Sequence, residues 1–133
     1  DRNFTSENIQ IDVSIPASLK IKFPRGKFDQ VLTNLLLNSQ EAMPKGGQIE
    51  ISTKTINGSI ELHIIDSGPG IPIEIKDEIF DPFFSTKELS KSTGLGLAIS
   101  REIMMQHGGH LAMLPCETGA HFSIGFPRIP KPV

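Results

Sequence analysis

Residues 48–70 read QIEISTKTINGSIELHIIDSGPG, and this stretch decides the fold of the chain. It holds two candidate strands, residues 48–56 and 59–65, joined by Asn57-Gly58, a dipeptide typical of two-residue hairpin turns. The second strand leads directly into a glycine-rich turn at residues 66–70. Because hairpins make antiparallel pairs, we expect no doubly wound parallel fold.

Composition limits the class of protein. The 133 residues are enough for one domain with a hydrophobic core, and we interpret 1–133 as a single domain from a longer chain. The net charge of −2 gives no electrostatic reason to expect nucleic acid. Cys116 is the only cysteine, which excludes an intrachain disulfide and suits a reducing compartment. We expect a monomeric cytoplasmic fragment, whose parent is either membrane-anchored or soluble.

Periodicity predicts the elements around the hairpin. Further strands are expected at residues 9–15, 19–23, 110–114 and 120–126, and helices at 27–43, 72–79 and 94–107. Residues 80–93 are expected to form a long loop. This order predicts an α+β fold, a two-layer α/β sandwich with a mixed, mostly antiparallel sheet and about three helices on one face.

The long predicted helix carries polar residues beside its apolar face. Asn34, Asn38 and Glu41 fall within one narrow sector at 100° per residue. Asn38 lies nearest the buried edge, and its amide oxygen can bind a hard cation such as Mg²⁺. The alternative is a solvated or self-bonded asparagine.

The turn that starts at Asp66 brings a carboxylate and flexible backbone to one point. Its glycines let backbone approach a ligand closely, but a carboxylate repels phosphate and only accepts hydrogen bonds. The natural ligand group is therefore a donor, such as an exocyclic amine. The alternative is a structural turn in which Asp66 caps nearby backbone amides.

Two later segments can meet an anion. The run Ser92-Thr93-Gly94-Leu95-Gly96-Leu97 opens the last predicted helix, where free amides and the helix dipole favour phosphate. Lys87 follows a phenylalanine-rich run and can reach a phosphate as a point charge. The alternatives are a Ser/Thr-capped helix start and a solvated lysine. Neither glycine segment fits a Rossmann or P-loop pattern.

These four features occur in an order found in one superfamily. The chain resembles the catalytic and ATP-binding domain of sensor histidine kinases, members of the GHKL ATPases with the Bergerat fold. Residues 30–43 resemble the N box, 66–70 and 94–97 the two glycine boxes, and 80–84 the F box. Residues 107–109 and 119–122 match the closing segments of the family, so the resemblance extends over about residues 9–127.

The resemblance implies ATP and Mg²⁺ as cofactors and gives each site residue a role. Asn38 would bind Mg²⁺ and the phosphates, and Asp66 would accept from the adenine amino group. The catalytic residues would be Asn38 and Lys87. The remaining nucleotide contacts implied are Asn34, Glu41, Gly68, Gly70, Ile71, Lys87, Ser92, Thr93, Gly94, Leu95, Gly96 and Leu97.

Residue types favour a kinase over a hydrolase. Hydrolysing relatives carry a glutamate base where this chain has Asn34, and an amide takes no proton at neutral pH. The resemblance implies transfer of the γ-phosphoryl group to a histidine on a separate dimerisation domain, in two-component signalling with a downstream response regulator. A nucleotide-binding switch without phosphoryl transfer is the alternative.

The phosphoacceptor is expected to be missing from this chain. None of the four histidines, at 63, 107, 110 and 121, is followed by an acidic residue. The isolated fragment is therefore not expected to phosphorylate itself. Departures from the family pattern predict a modest affinity for nucleotide; they are Pro24, Glu41, Ala42 and Ala120.

Overall fold

The computed structural model describes residues 8–76, 78–81, 96–114 and 119–127. Within these ranges the chain forms five β-strands, two α-helices and two 3₁₀ turns. The strands are β1 (Ile9–Ser14), β2 (Gly47–Ile56), β3 (Ser59–Asp66), β4 (His110–Leu114) and β5 (His121–Gly125). The helices are α1 (Arg25–Ala42) and α2 (Gly96–Gln106), and the 3₁₀ turns are Ile73–Ile75 and Glu78–Phe80.

The five strands form one mixed sheet in the order β1-β2-β3-β5-β4. β1 runs parallel to β2, and α1 makes the crossover between them. The other three pairs are antiparallel. The predicted α+β sandwich with a mostly antiparallel sheet is therefore confirmed.

The hairpin between β2 and β3 turns at the predicted dipeptide. Asn57 has φ 51° and Gly58 has φ 82°. Two successive positive φ angles are the requirement of a type I′ turn, which asparagine and glycine meet most easily. The turn pairs Ile56 with Ser59 and sets the register in which Leu62 and Ile64 face the core.

Both helices cover one face of the sheet. Val31 and Leu35 of α1 and Met104 of α2 are fully buried, together with Ile64 of β3 and Ile124 of β5. This apolar layer is the core that stabilises the domain. In the described part of the chain, no helix is both long and apolar enough to cross a membrane.

The strand predicted at residues 19–23 is wrong. The segment forms no strand, although Leu19, Ile21 and Phe23 turn inward while both lysines between them stay exposed. The Phe23 ring packs 5.1 Å from that of His107 and 5.6 Å from that of Phe126. Alternation reports which side of an extended segment is buried, and it carries no information on whether a neighbouring strand is available for pairing.

The helix predicted at 72–79 forms two short 3₁₀ turns instead. The first closes with a bond from the Ile75 N–H to the Pro72 carbonyl (3.1 Å), and the second with one from the Asp81 N–H to the Glu78 carbonyl (2.9 Å). Both are three-residue spans of the kind that serve as connectors. The buried Ile79 and Phe80 at the second turn anchor this connection on the core.

The sheet face opposite the helices carries a partly buried chain of polar contacts. His63, 3% exposed, has its Nδ1 2.7 Å from Nε2 of His121 and its Nε2 3.0 Å from a carboxylate oxygen of Glu61. A neutral His63 protonated on Nε2 donates to Glu61 and accepts from His121. Burial lowers the pKa of His121, and the nearby His63 and Lys54 lower it further.

This arrangement predicts a pH-dependent stability. The folded protein resists protonation of His121, whereas the unfolded chain takes up that proton near pH 6.5. The stability that the neutral ring contributes is thus complete above that pH and is lost as the pH falls below it. In urea unfolding at about pH 7.5 and about pH 5.5, the wild type should lose more free energy of unfolding than His121→Gln. An equal loss in both proteins would contradict this.

Candidate functional site

Asp66 ends β3 with a carboxylate held inside the protein, 4% exposed. Its Oδ1 accepts hydrogen bonds from the backbone N–H of Gly68 (2.9 Å) and of Ala120 (3.0 Å). Its Oδ2 accepts one from the hydroxyl of Ser39 (3.0 Å). The capping role considered as the alternative is thus present. Since each carboxylate oxygen offers two lone pairs, Oδ2 still has capacity for one more donor.

The approach of β5 to this carboxylate depends on glycine. The Asp66 N–H donates to the Ala120 carbonyl (2.9 Å), which brings the preceding residue against the backbone of Asp66. Gly119 has φ +80°, and a Cβ there would overlap the Asp66 carbonyl oxygen. Gly70 has φ +86°, and a Cβ there would lie 2.9 Å from the Gly119 carbonyl oxygen. Gly70 therefore has a packing reason to be glycine, independent of any ligand.

An open surface depression of about 380 Å³ lies next to this turn. Residues 42–46, where α1 ends and turns, line one side, and residues 67–69 line the other. At Gly68 a Cβ would lie 3.1 Å from the Met43 side chain and 3.2 Å from Oδ1 of Asp66. The absence of a side chain at Gly68 keeps this wall of the depression close to the carboxylate.

Asn34 links the two helices. Its amide nitrogen donates to the carbonyl of Gly96 (3.3 Å) and to the hydroxyl of Ser100 (3.0 Å). The first described turn of α2 is thereby held against the middle of α1. The sequence weighed a ligand contact against a solvated or self-bonded asparagine, and the structure shows that the amide nitrogen of Asn34 instead bonds α2.

Asn38 and Glu41 lie on the same flank of α1, one helical turn apart, and both are partly buried. The Asn38 side chain makes no hydrogen bond to any residue that the structure describes. Within the same ranges, Oε1 of Glu41 is a buried oxygen without a hydrogen-bond partner. Two oxygen groups with unused capacity on one flank suit a hard cation, so the residues present fit Mg²⁺.

The other predicted site residues divide into two groups. Ile71 and Leu97 are partly buried and pack against the core. Gly96 begins the described part of α2 and contacts Asn34. The remaining five lie outside the described residues: Lys87, Ser92, Thr93, Gly94 and Leu95.

Sequence reasoning missed Ser39, although a signal was present. Val31, Leu35, Ser39 and Met43 recur every four residues, and all four are buried. A serine in such a row places a hydroxyl in the core, where it needs a hydrogen-bond partner. The partner is Asp66, 27 residues further along the chain.

The fold is an α+β sandwich in which an asparagine-bearing helix lies beside a buried aspartate. The chain belongs to the family of histidine kinase-, DNA gyrase B- and HSP90-like ATPases, whose model matches residues 25–130. The family expected from the sequence is therefore confirmed.

The proteins to which the chain is similar include sensor kinases and catalytic domains of histidine kinases. The sensor kinase CckA of Brucella abortus is 38% identical over 128 residues, covering 82% of this chain but 13% of that protein. The catalytic domain of the histidine kinase ThkA superposes with a TM-score of 0.77 at 35% identity, covering 92% of this chain and 81% of that one. The mycobacterial sensor histidine kinase MprB superposes with a TM-score of 0.80 at 29% identity, covering 92% of this chain and 84% of that one. ThkA also occurs in complex with the response regulator protein TrrA.

The two glycines at positions 26 and 119 make a matched test of the packing at Asp66. Gly119→Ala should lower the free energy of unfolding by about 3 kcal/mol or more, because the new methyl overlaps backbone at a positive φ. At Gly26, inside the first turn of α1, an added Cβ would meet nothing within 4 Å. Gly26→Ala should therefore be neutral or stabilise the protein by up to about 1 kcal/mol. Equal stabilities of the two variants in urea unfolding would disprove the packing argument.

Proposed function

We propose that this chain binds Mg-ATP and donates its γ-phosphoryl group to a histidine on a separate dimerisation domain. It would act as the catalytic domain, residues 1–133, of a two-component histidine kinase in the cytoplasm. The observation that carries the proposal is the buried Asp66 carboxylate, whose Oδ2 has a single donor among the described residues, next to an open depression lined in part by Gly68. The complex of the related ThkA with a response regulator supports a response regulator as the downstream partner.

At the adenine end, hydrogen-bond capacity determines what Asp66 can recognise. Oδ1 is filled by two backbone amides, so a ligand donor has to approach Oδ2. The exocyclic amine of adenine is such a donor. A buried ligand group that does not donate would leave this charged oxygen facing another acceptor, which is strongly unfavourable.

At the phosphate end, Asn38 would hold Mg²⁺, with Glu41 as a second oxygen on the same flank. When bound, Mg²⁺ neutralises charge on the transferring phosphoryl group. The bond from Asn34 to the Gly96 carbonyl keeps the beginning of α2 about one turn of α1 away from Asn38. The positive end of the α2 dipole then lies near the phosphates. Lys87 and residues 92–97 are proposed as further phosphate contacts.

The chemistry of the site favours transfer to an imidazole over attack by water. The nitrogen of Asn34 is engaged with α2, and its amide cannot serve as a base at neutral pH. A neutral imidazole needs no base to become nucleophilic. The histidines of this chain are themselves hydrogen-bonded or lie on strands. His63 and His121 bond each other, and Nδ1 of His107 donates to the Ile103 carbonyl (2.9 Å).

Calorimetric titration with ATP tests the site, with and without Mg²⁺. Asp66→Asn keeps an oxygen for the two backbone amides but places a donor where Oδ2 lies, so affinity should fall about tenfold or more in either condition. Asn38→Ala should weaken binding only when Mg²⁺ is present. Asp12→Ala, on an exposed residue of the opposite sheet face, is the control. If neither site substitution weakens binding, the site assignment is wrong.

Transfer of label from γ-³²P-ATP tests the reaction. We expect no phosphohistidine on the chain alone, and phosphohistidine on a histidine kinase dimerisation domain added in trans. Asp66→Asn should reduce the transfer rate at limiting ATP in proportion to its loss of affinity. Label on a histidine of the chain itself would contradict the proposal. Nucleotide binding without transfer to any cognate acceptor would instead support a nucleotide-binding switch.

A further inference from the structure

We propose that Ser39 is a positioning residue that makes the site select a 6-amino purine over a 6-oxo purine, an inference that rests on the proposed nucleotide function. The residue lies in the middle of α1, is 1% exposed, and reaches across to the end of β3. Nothing in the proposed chemistry requires a hydroxyl at this position. Within the described part of the chain, its hydroxyl bonds the carboxylate of Asp66.

The hydrogen bonds of that carboxylate make Ser39 and the ligand neighbours. Oδ1 of Asp66 has two donors at 2.9 and 3.0 Å, which use both of its lone pairs. Among the residues that the structure describes, Oδ2 has one donor, the Ser39 hydroxyl at 3.0 Å, which leaves one lone pair for a ligand. A ligand donor and Ser39 must therefore share the same oxygen atom.

Sharing this atom gives Ser39 two effects on recognition. Its bond fixes the position of Oδ2, as a supporting residue does when it locks the rotamer of a binding residue. In addition, a serine hydroxyl has a single hydrogen, and here that hydrogen points at Oδ2. The pair Ser39–Asp66 therefore has no hydrogen left to donate, and a ligand group that approaches Oδ2 meets an acceptor.

An acceptor-only pair distinguishes two purine classes. A 6-amino group can donate a hydrogen bond to Oδ2 of Asp66. A 6-oxo group is itself an acceptor and would face Oδ2 with no hydrogen between the two oxygens. Ser39→Ala removes the donor that fixes Oδ2, so this oxygen can shift away from the ligand. The hydrogen bond to a 6-amino donor then weakens, and Oδ2 is no longer held against a 6-oxo oxygen. The substitution should therefore relieve the exclusion of 6-oxo purines.

The experiment compares Kd values for Mg-ATP and Mg-ITP by calorimetric titration of the full chain. We expect Ser39→Ala to lower the ratio of the ITP Kd to the ATP Kd by about tenfold, the effect of one hydrogen bond. Ser39→Thr, which restores a hydroxyl, should return the ratio to the wild-type value. Ser123→Ala is the matched control, because Ser123 is also buried, 3% exposed, and lies on the opposite face of the sheet.

The outcomes separate this inference from the proposed function. If Asp66→Asn weakens Mg-ATP binding and Ser39→Ala leaves the ITP-to-ATP ratio unchanged, Ser39 is only structural and the inference is wrong. If the wild type does not bind Mg-ATP, the proposed function itself is wrong. If circular dichroism shows that Ser39→Ala does not fold, Ser39→Cys takes its place. The thiol is only a weak donor, so the ratio of the ITP Kd to the ATP Kd must fall in this variant as well.

Discussion

The buried carboxylate of Asp66 is the constraint on which the rest of this structure depends. An ionised carboxylate without partners costs several kcal/mol inside a protein, so its donors have to be in place when the domain folds. Those donors come from α1, from the turn after β3 and from the segment entering β5. The Asp66 side chain thus fixes the relative positions of α1, the turn after β3 and the start of β5. The glycine at 119 permits the close backbone contact that this requires.

The helix α1 connects this constraint with the other end of the site. Ser39 points to Asp66, while Asn34, five residues earlier, bonds the first described turn of α2. Five residues of an α-helix rise about 7.5 Å, and the helix is rigid over that length. The Asp66 carboxylate and the first described turn of α2 are therefore held at a fixed separation by regular secondary structure, with Asn38 between them.

The parts of the fold that the sequence predicted correctly are those that local physics determines. Asn57-Gly58 predicted the hairpin because both residues adopt positive φ at little cost, and the 3.6-residue repeat of α1 needs only its own helix to be recognised. Residues 19–23 were mistaken for a strand because their alternation comes from one-sided burial, which an unpaired extended segment also satisfies. In the candidate site, too, locally determined features can be read from the sequence and distant contacts cannot. Asp66 was recognisable from its own turn, but its donors at 39 and 120 are 27 and 54 residues away, and neither spacing leaves a local pattern.

The long sequence separation between Asp66 and Ala120 has a consequence for how the domain matures. The β2–β3 hairpin closes through a two-residue turn, and β1 then pairs with β2 around α1, from Ile9 to Gly47. Closing larger loops takes more chain entropy and comes later in folding. During synthesis, α1 and the hairpin emerge before the residues that enter β5, so the carboxylate remains hydrated until the C-terminal strands dock. The hydrogen bonds to the Asp66 carboxylate are thus complete only once β5 has joined the sheet beside β3.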